Sequence, residues 1–276
     1  MWMRRPGGLM VERLIRTTRG ESVAVTAVAT DGEPVSVTAA ATDREPVVAR
    51  RLAWVASAAV LLGALILLVD RPLAHYCNQH ATGIHNAIAA VSTLGEAAWY
   101  LVPSLLVFLI ARFMVHRPAI AAGAVFVFLG VALAGLAADV LKVLVGRSRP
   151  SVLFKEGGYD IWPLQFNAHY QSFPSGHAAC VVAAALTLAV LAPRYRVQFL
   201  LAALLVALTR VVLAEHYLSD VVAGAAIAWL VVVTLQRAFA RHGVPLGPVG
   251  DAGVRVLPSP FAERVFGARR RHPADA

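Results

Sequence analysis

The chain has 276 residues, of which 58% are apolar and 15% are charged, whereas soluble domains carry about 25% charged residues. Its mean hydropathy of +0.66 gives more apolar surface than one globule of this size can bury, which excludes an ordinary water-soluble fold. The net charge of +9 comes mostly from arginines near the two ends, which favours a membrane surface over nucleic acid as the partner.

Residues 1–49 contain no apolar window long enough to span a bilayer or to build a core, so we predict a disordered tail there. Within this tail, residues 25–35 and residues 37–47 are near-copies of each other. Two copies are too few for a repeat fold. We interpret them as a duplication in an unconstrained tail, with a partner-binding segment as the alternative.

Six apolar segments follow, at residues 52–69, 97–113, 119–141, 178–192, 197–214 and 219–236. Each approaches the roughly 17–25 residues that a membrane-spanning helix needs, and their apolar runs are continuous, unlike the alternating strands of a barrel. A weaker amphipathic stretch at 84–95 is expected at the membrane interface. The sequence therefore predicts an all-α bundle of six transmembrane helices over residues 50–237, followed by a basic tail at 238–276. We interpret this tail as disordered and solvated, with attraction to anionic lipid headgroups as the alternative.

Basic residues beside the predicted spans set the orientation. Four pairs fall on one side of the six-span arrangement: Arg50 and Arg51, Arg112 and Arg117, Arg194 and Arg196, and Arg237 and Arg241. Because arginine and lysine are enriched on the cytoplasmic side, we expect both termini in the cytoplasm. The abundance of alanine and arginine favours a bacterial gene, and hence a bacterial inner membrane.

Three segments bring ionisable side chains to the opposite, extracytoplasmic face. They are Lys142 to Arg149-Pro150, Pro174-Ser175-Gly176-His177, and Arg210 followed by His216 and Asp220. Ionisable residues at membrane depth usually mark functional sites. The cations Lys142, Arg149 and Arg210 match the non-bridging oxygens of a phosphoryl group. Ser175 and Gly176 begin a helix, where free N–H groups favour an anion.

Two histidines in this set can divide the work of phosphate ester hydrolysis. Asp220 follows His216 by one helical turn, so its carboxylate is expected to accept a hydrogen bond from the Nδ1–H of His216. That bond would leave Nε2 free to attack phosphorus. His216 is therefore the predicted nucleophile, and His177 is the predicted general acid for the leaving oxygen.

These residues are similar to the three signature motifs of the type 2 phosphatidic acid phosphatase (PAP2) and vanadium haloperoxidase superfamily. The motifs stand here as Lys142 to Pro150, Pro174 to His177, and Thr209-Arg210 to Asp220. Thr209 replaces the serine that opens the third motif, a hydroxyl-for-hydroxyl change. The resemblance implies a phosphohistidine at His216, acid catalysis by His177, and no metal or cofactor. Because the haloperoxidase branch is soluble, the apolar segments point to the lipid phosphatase branch.

The sequence thus predicts a metal-independent hydrolase that acts on a lipid phosphate or polyprenyl diphosphate at the extracytoplasmic face. A lipid phosphotransferase with the same site and a non-catalytic protein that binds or transports lipid headgroups remain as alternatives. The expected partners are the lipid substrate and membrane lipids, with no nucleic acid.

Three further features lie close to these motifs. Asp139 is expected to pair with Lys142 rather than to catalyse. Glu215 is assigned no role, because a helical segment would point it away from His216. Residues 151–173 are rich in aromatic side chains, which predicts either an interfacial belt or a lid over the substrate.

Overall fold

The structure is a computed structural model that describes residues 10–16, 22–28, 36–41, 53, 57, 60–80, 83, 85–244, 246 and 260–266. It divides into two compact units, Met1–Val60 and Leu61–Ala276.

The first unit contains three strands, β1 (Met10–Arg16), β2 (Ser22–Val28) and β3 (Ser36–Ala41), in an antiparallel sheet of order β1-β2-β3. The two near-copies in the sequence supply β2 and β3, which pair so that Thr26 lies opposite Thr38. Valine and threonine suit a strand. The predicted disordered tail is therefore not confirmed within these three segments, and the rest of residues 1–49 lies outside the described residues.

The second unit is built from helices, with no strand among its described residues. The helices are α1 (Val60–His80), α2 (His85–Ser92), α3 (Ala98–Leu109), α4 (Pro118–Val145), α5 (Pro150–Glu156), α6 (Gly176–Leu191), α7 (Arg196–Val212), α8 (Leu218–Arg241) and α9 (Pro260–Phe266). Turns of π-helix occur within α1 at Leu65–Val69 and after α3 at Ile110–Met114. The all-α prediction therefore holds for the described part of this unit.

Among the described residues, five helical stretches are long and apolar enough to cross a membrane: Val60–His80, His85–Met114, Pro118–Val145, Pro193–Val212 and Leu218–Arg241. They overlap five of the predicted spans, and the second begins in the stretch that was expected at the interface. The remaining predicted span, 178–192, corresponds to α6, which has 16 residues. At 1.5 Å per residue α6 is about 24 Å long, which is less than roughly 30 Å of hydrocarbon. Six spans are therefore not confirmed.

α6 packs against α4, α7 and α8. Most of its buried residues are alanines, and small side chains let neighbouring helices approach closely. Glycines on the partner helices do the same: a Cβ on Gly130 of α4 would lie 2.7 Å from Cγ2 of Thr187, and a Cβ on Gly224 of α8 would lie 2.5 Å from the carbonyl oxygen of Ser175. Because protein surrounds α6 on several sides, its backbone polar groups need no full-length span to avoid lipid.

The C-terminal segment also differs from its prediction. α8 continues to Arg241, past the predicted domain end at residue 237. In α9, Phe266 is 2% exposed and belongs to the same apolar cluster as Phe239, while Arg112 Nε donates a hydrogen bond to the carbonyl of Val265 at 3.2 Å. The predicted disordered tail is not confirmed at these residues, and the remainder of 247–276 lies outside the described residues.

Candidate active site

The first motif leaves α4 through a glycine in the left-handed region. Gly146 has φ +64°, which glycine adopts without strain, and its N–H donates to the carbonyl of Lys142 at 2.9 Å. A Cβ here would lie 1.6 Å from the carbonyl oxygen of Trp162. The chain then continues to Arg149, whose N–H donates to the carbonyl of His169 at 2.8 Å. Gly146 therefore fixes where the basic segment turns away from α4.

The second motif forms the start of α6. The side chain of Ser175 caps the helix by accepting the N–H of Ala178 at 3.4 Å, and the N–H of Ser175 donates to the carbonyl of Asp220 at 3.0 Å. A Cβ on Gly176 would lie 2.9 Å from Nζ of Lys142, so the lysine reaches the first turn of α6. The positive end of the helix thus adjoins a cation, an arrangement that favours an anion.

Lys142, Arg149 and Arg210 are called the cation cluster below. Nζ of Lys142 donates to Oδ1 of Asp139 at 2.8 Å, which confirms the predicted pair. One carboxylate oxygen of Glu215, Oε2, lies 3.0 Å from Nη1 of Arg149 and 3.7 Å from Nη2 of Arg210, so Glu215, which was assigned no role from the sequence, contacts two members of the cluster. The Nε atoms of both arginines are buried without a hydrogen-bond partner in the described part of the chain. Buried, unsatisfied donors on two cations indicate a place for an anionic ligand.

His177 stands beside this cluster. All three members of the cation cluster and His216 lie close enough to His177 to interact with it electrostatically. Its ring packs against Gly95, because a Cβ on Gly95 would lie 2.8 Å from Cδ2 of His177. Gly95 was not predicted as a site residue, and no pattern in its own segment links it to His177.

The hydrogen bond that orients His216 differs from the prediction. Nδ1 of His216 lies 2.8 Å from the carbonyl oxygen of Ser172, to which it donates, and 3.6 Å from Oδ2 of Asp220. That carboxylate oxygen accepts hydrogen bonds from the hydroxyl of Ser172 at 2.6 Å and from the N–H of Tyr217 at 2.9 Å. Burial lowers the pKa of His216, although the Asp220 carboxylate opposes this effect. The ring is therefore neutral near pH 7, with Nε2 free.

A buried network of ion pairs lies next to His216 and Asp220, and the sequence analysis did not predict it. Arg147 is 4% exposed, and its guanidinium donates to Oδ1 of Asp220 at 2.6 Å, to Oδ2 of Asp70 at 2.8 Å and to the hydroxyl of Ser219 at 2.7 Å. Burial alone would lower the pKa of Arg147, but the carboxylates of Asp220 and Asp70 outweigh it and raise the pKa. The network joins α1 to the first turn of α8. The position of Asp70 directly after the first apolar segment gave no signal for this network.

The structure brings all the predicted site residues to one end of the helix bundle: Lys142, Arg149, Ser175, Gly176, His177, Arg210, His216 and Asp220. Across the described residues, no group of three or more His, Cys, Asp or Glu side chains could hold a metal ion. The arrangement provides an anion site made of cations and helix N–H groups, with two imidazoles beside it.

Comparisons with known proteins agree with this arrangement. Residues 123–243 match the family model of the PAP2 superfamily. The chain is 32% identical over 229 residues to a lipid A 1-phosphatase of Rhizobium johnstonii, an alignment that covers 78% of this chain and 90% of that protein. It is 30% identical over 229 residues to a lipid A 1-phosphatase of Rhizobium etli, covering 78% of this chain and 95% of the relative.

Two solved structures are also similar. The LpxE protein of Aquifex aeolicus matches with a TM-score of 0.48 and 22% identity, over 62% of this chain and 96% of that one. A PAP2-type phosphatidylglycerolphosphate phosphatase from Bacillus subtilis matches with a TM-score of 0.47 and 20% identity, over 66% of this chain and 92% of that one. On the strength of the curated relatives and the family model, the chain belongs to the PAP2 superfamily. It is an integral membrane lipid phosphatase, and hence a phosphoric monoester hydrolase.

Proposed function

We propose that this enzyme hydrolyses a phosphate ester of a membrane lipid through a phosphohistidine on His216, at the extracytoplasmic face of the membrane. The observation that carries the proposal is the cation cluster, two of whose members have buried Nε donors without a partner in the described residues. Two histidines adjoin this cluster, so a bound phosphoryl group would lie within reach of both a nucleophile and a proton donor.

The phosphoryl group binds to the cation cluster and to the N–H groups at the start of α6, near Ser175 and Gly176. Phosphoryl transfer spreads negative charge over the equatorial oxygens in the transition state, so fixed cations stabilise that state more than the ground state. Three basic side chains supply this charge, and the proposed reaction uses no metal. Phosphate release is therefore expected to survive EDTA, and chelator-sensitive activity that Mg²⁺ restores would contradict this part of the proposal.

Catalysis follows in two halves. Nε2 of His216 attacks phosphorus while the bond from phosphorus to the ester oxygen breaks, and His177 donates a proton to that oxygen. Burial and the neighbouring cations lower the pKa of His177 to about 4, so His177 holds this proton only once the bound anionic phosphoryl group offsets the cation cluster. The ring of His216 then carries a positive charge, which the carboxylate of Asp220, 3.6 Å from Nδ1, stabilises. In the second half His177 takes a proton from a water molecule, and the oxygen of that water attacks phosphorus. The bond between phosphorus and Nε2 of His216 then breaks, which releases phosphate and returns the ring of His216 to its neutral form.

The relatives favour one class of lipid. Both curated relatives are named lipid A 1-phosphatases, so we propose a glycolipid 1-phosphate of the lipid A type as the substrate, ahead of polyprenyl diphosphate and phosphatidic-acid-type lipids. A lipid anchor that stays in the bilayer helps to orient the phosphate at the site. Lipid substrates should therefore give a higher kcat/KM than soluble glucose 6-phosphate, and equal efficiency for the two kinds would contradict the proposal.

The decisive experiment measures phosphate release by the purified, detergent-solubilised full chain. The substrates are a lipid A-type 1-phosphate, a polyprenyl diphosphate, a diacylglycerol phosphate and glucose 6-phosphate. His216→Ala should abolish release and the acid-labile radiolabelled protein phosphate, whereas His80→Ala, a control on an exposed histidine of α1, should change neither. Full activity of His216→Ala would refute the phosphohistidine. Binding of every lipid without release would favour the non-catalytic alternative, and phosphate transfer to a second lipid would favour the phosphotransferase.

The proposed face rests on the basic flanks of the helices and has its own test. Phe166 is 82% exposed in the segment between α5 and α6, and the native Cys77 and Cys180 are buried. Phe166→Cys should react with a membrane-impermeant thiol reagent in intact cells, while Arg196→Cys, at the opposite end of the bundle, should react only after lysis. The reverse pattern would place the site in the cytoplasm.

A further inference from the structure

A cavity of about 540 Å³ lies directly beside the cation cluster. Arg149 and Glu215 line both the cavity and the anion site, so the two spaces are adjacent. Its size falls within the roughly 300–1,000 Å³ that small-molecule sites occupy. At about 30 Å³ per water molecule, the cavity has far more room than a phosphoryl group needs.

The walls of this cavity combine polar side chains with the apolar side chains of Phe154, Ala168, Leu213 and Ala214. Asn78 of α1, Ser151 and Lys155 of α5, and His169 of the following segment all face it. Lys155 is exposed and has no ion-pair partner among the described side chains, whereas Glu215 is already paired with Arg149. The cavity therefore keeps an excess of positive charge together with amide and hydroxyl groups. A phosphorylated sugar fits these mixed walls, because its anionic and hydroxyl groups can bind the polar side chains while its C–H faces pack on apolar ones such as Phe154.

We propose that the cavity is a headgroup subsite, which binds the phosphorylated sugar part of a glycolipid while the cation cluster holds the phosphate to be cleaved. The inference rests on the proposed function and deepens it. Arg149 borders both spaces, so a group in the cavity is one that is joined directly to the scissile phosphate. Lys155 binds an anionic substituent of the sugar, and the amide of Asn78 binds its hydroxyl groups. In a simple polyprenyl or diacylglycerol phosphate the ester oxygen joins the phosphate to the apolar part without a sugar between them. When such a lipid binds, the cavity is therefore filled by water.

The subsite predicts a change in specificity. In Lys155→Gln the ratio of kcat/KM for a glycolipid 1-phosphate to kcat/KM for a polyprenyl phosphate should fall about ten-fold, the effect of losing one charge-assisted hydrogen bond. Lys155→Arg should restore most of the ratio. Arg196→Gln, which removes an exposed cation at the other end of the bundle, is the matched control and should leave the ratio unchanged. Lys155 is exposed in the last turn of a short helix, so these variants should fold, which size-exclusion chromatography checks.

Two glycolipid substrates identify what Lys155 binds. One carries a second phosphate on the sugar and the other lacks it. A larger loss in Lys155→Gln for the doubly phosphorylated substrate assigns the lysine to that phosphate, and equal losses assign it to the sugar hydroxyls. An unchanged ratio in both Lys155→Gln and Asn78→Ala, with active wild-type enzyme, would overturn the subsite alone. Absence of phosphate release from every lipid by the wild type would instead overturn the proposed function.

Discussion

Removing the charge of Arg147 should lower the free energy of unfolding of the protein by several kcal/mol, whereas removing the charge of Arg149 should change it little. Arg147 is buried with two carboxylates whose side chains are fully inaccessible. In Arg147→Gln, Asp70 and Asp220 would remain buried without their cation, and breaking a buried pair in this way costs about 3–5 kcal/mol. Arg149, by contrast, pairs with Glu215, whose side chain is 47% exposed, and such a pair contributes about 1 kcal/mol or less.

The assay is thermal unfolding of the detergent-solubilised variants, read beside phosphate release. A loss of about 3–5 kcal/mol corresponds to a fall in Tm of roughly 6–20 °C for a chain of this size. Arg149→Gln should keep a Tm close to that of the wild type and lose activity, because it contributes to the cation cluster. The raised pKa of Arg147 exceeds an ordinary value that is already above 12. Its stabilisation is therefore fully present below that ordinary value. In Arg147→Gln the two buried carboxylates lack a cation and bind protons more readily as the pH falls, so the difference in Tm should be largest near pH 9 and should shrink towards pH 5.

A double variant distinguishes the loss of the charge of Arg147 from the loss of the packing of its side chain. Asp70→Asn in the Arg147→Gln background removes one of the two unpaired carboxylates and should recover part of the lost stability, with a coupling of about 0.5–3 kcal/mol. A Tm of Arg147→Gln within about 2 °C of the wild type, or a fall just as large in Arg149→Gln, would refute this reasoning.

Three further outcomes follow from the site. Glu215→Gln should strengthen inhibition by vanadate about five-fold, as expected for a half-exposed carboxylate that competes with an anion for the two arginines; an unchanged inhibition constant would contradict this. Gly95→Ala should lower kcat at least ten-fold, because its Cβ must displace the ring of His177, while Gly83→Ala, with open space around it, should be neutral. Because burial lowers the pKa of His216, kcat/KM should fall on the acid side only below about pH 6.5, the ordinary value for histidine.

The apolar runs predicted most of the helices because lipid imposes a simple requirement on length and hydropathy. The predicted helix ends were wrong where a polar residue is buried inside the protein, because hydropathy alone places such a residue in water. The first predicted span stopped at residue 69, before Asp70 and Pro72, yet α1 continues to His80. Asp70 is accommodated because Arg147 neutralises it inside the protein. A π-helical turn at Leu65–Val69 directly precedes this stretch, and such a turn interrupts the regular hydrogen bonding of an α-helix.

The candidate site residues could be selected from the sequence because their types and order match a motif, but their hydrogen-bond partners could not. The sequence assigned the Nδ1 hydrogen bond of His216 to Asp220, whereas a backbone carbonyl of Ser172 accepts it. Candidate acids and bases can be recognised in a sequence from their side chains. Every residue carries a backbone carbonyl, so the sequence gives no signal that the carbonyl of Ser172 is the acceptor. Asp220 has its acceptor capacity taken by Arg147, Ser172 and the N–H of Tyr217. It acts on His216 through charge at 3.6 Å.

Two arginines of the first motif are separated by a single residue, and burial with charge balance decides what each one does. The guanidinium of Arg147 meets two buried carboxylates, so its charge is already compensated and its donors are taken by the protein. The guanidinium of Arg149 meets one half-exposed carboxylate, and its Nε has no partner in the described chain. An anion can displace a half-exposed carboxylate at small cost, but it cannot displace buried ones without uncovering their charge. Arg147 therefore holds the scaffold of the site, and Arg149 remains available to the substrate.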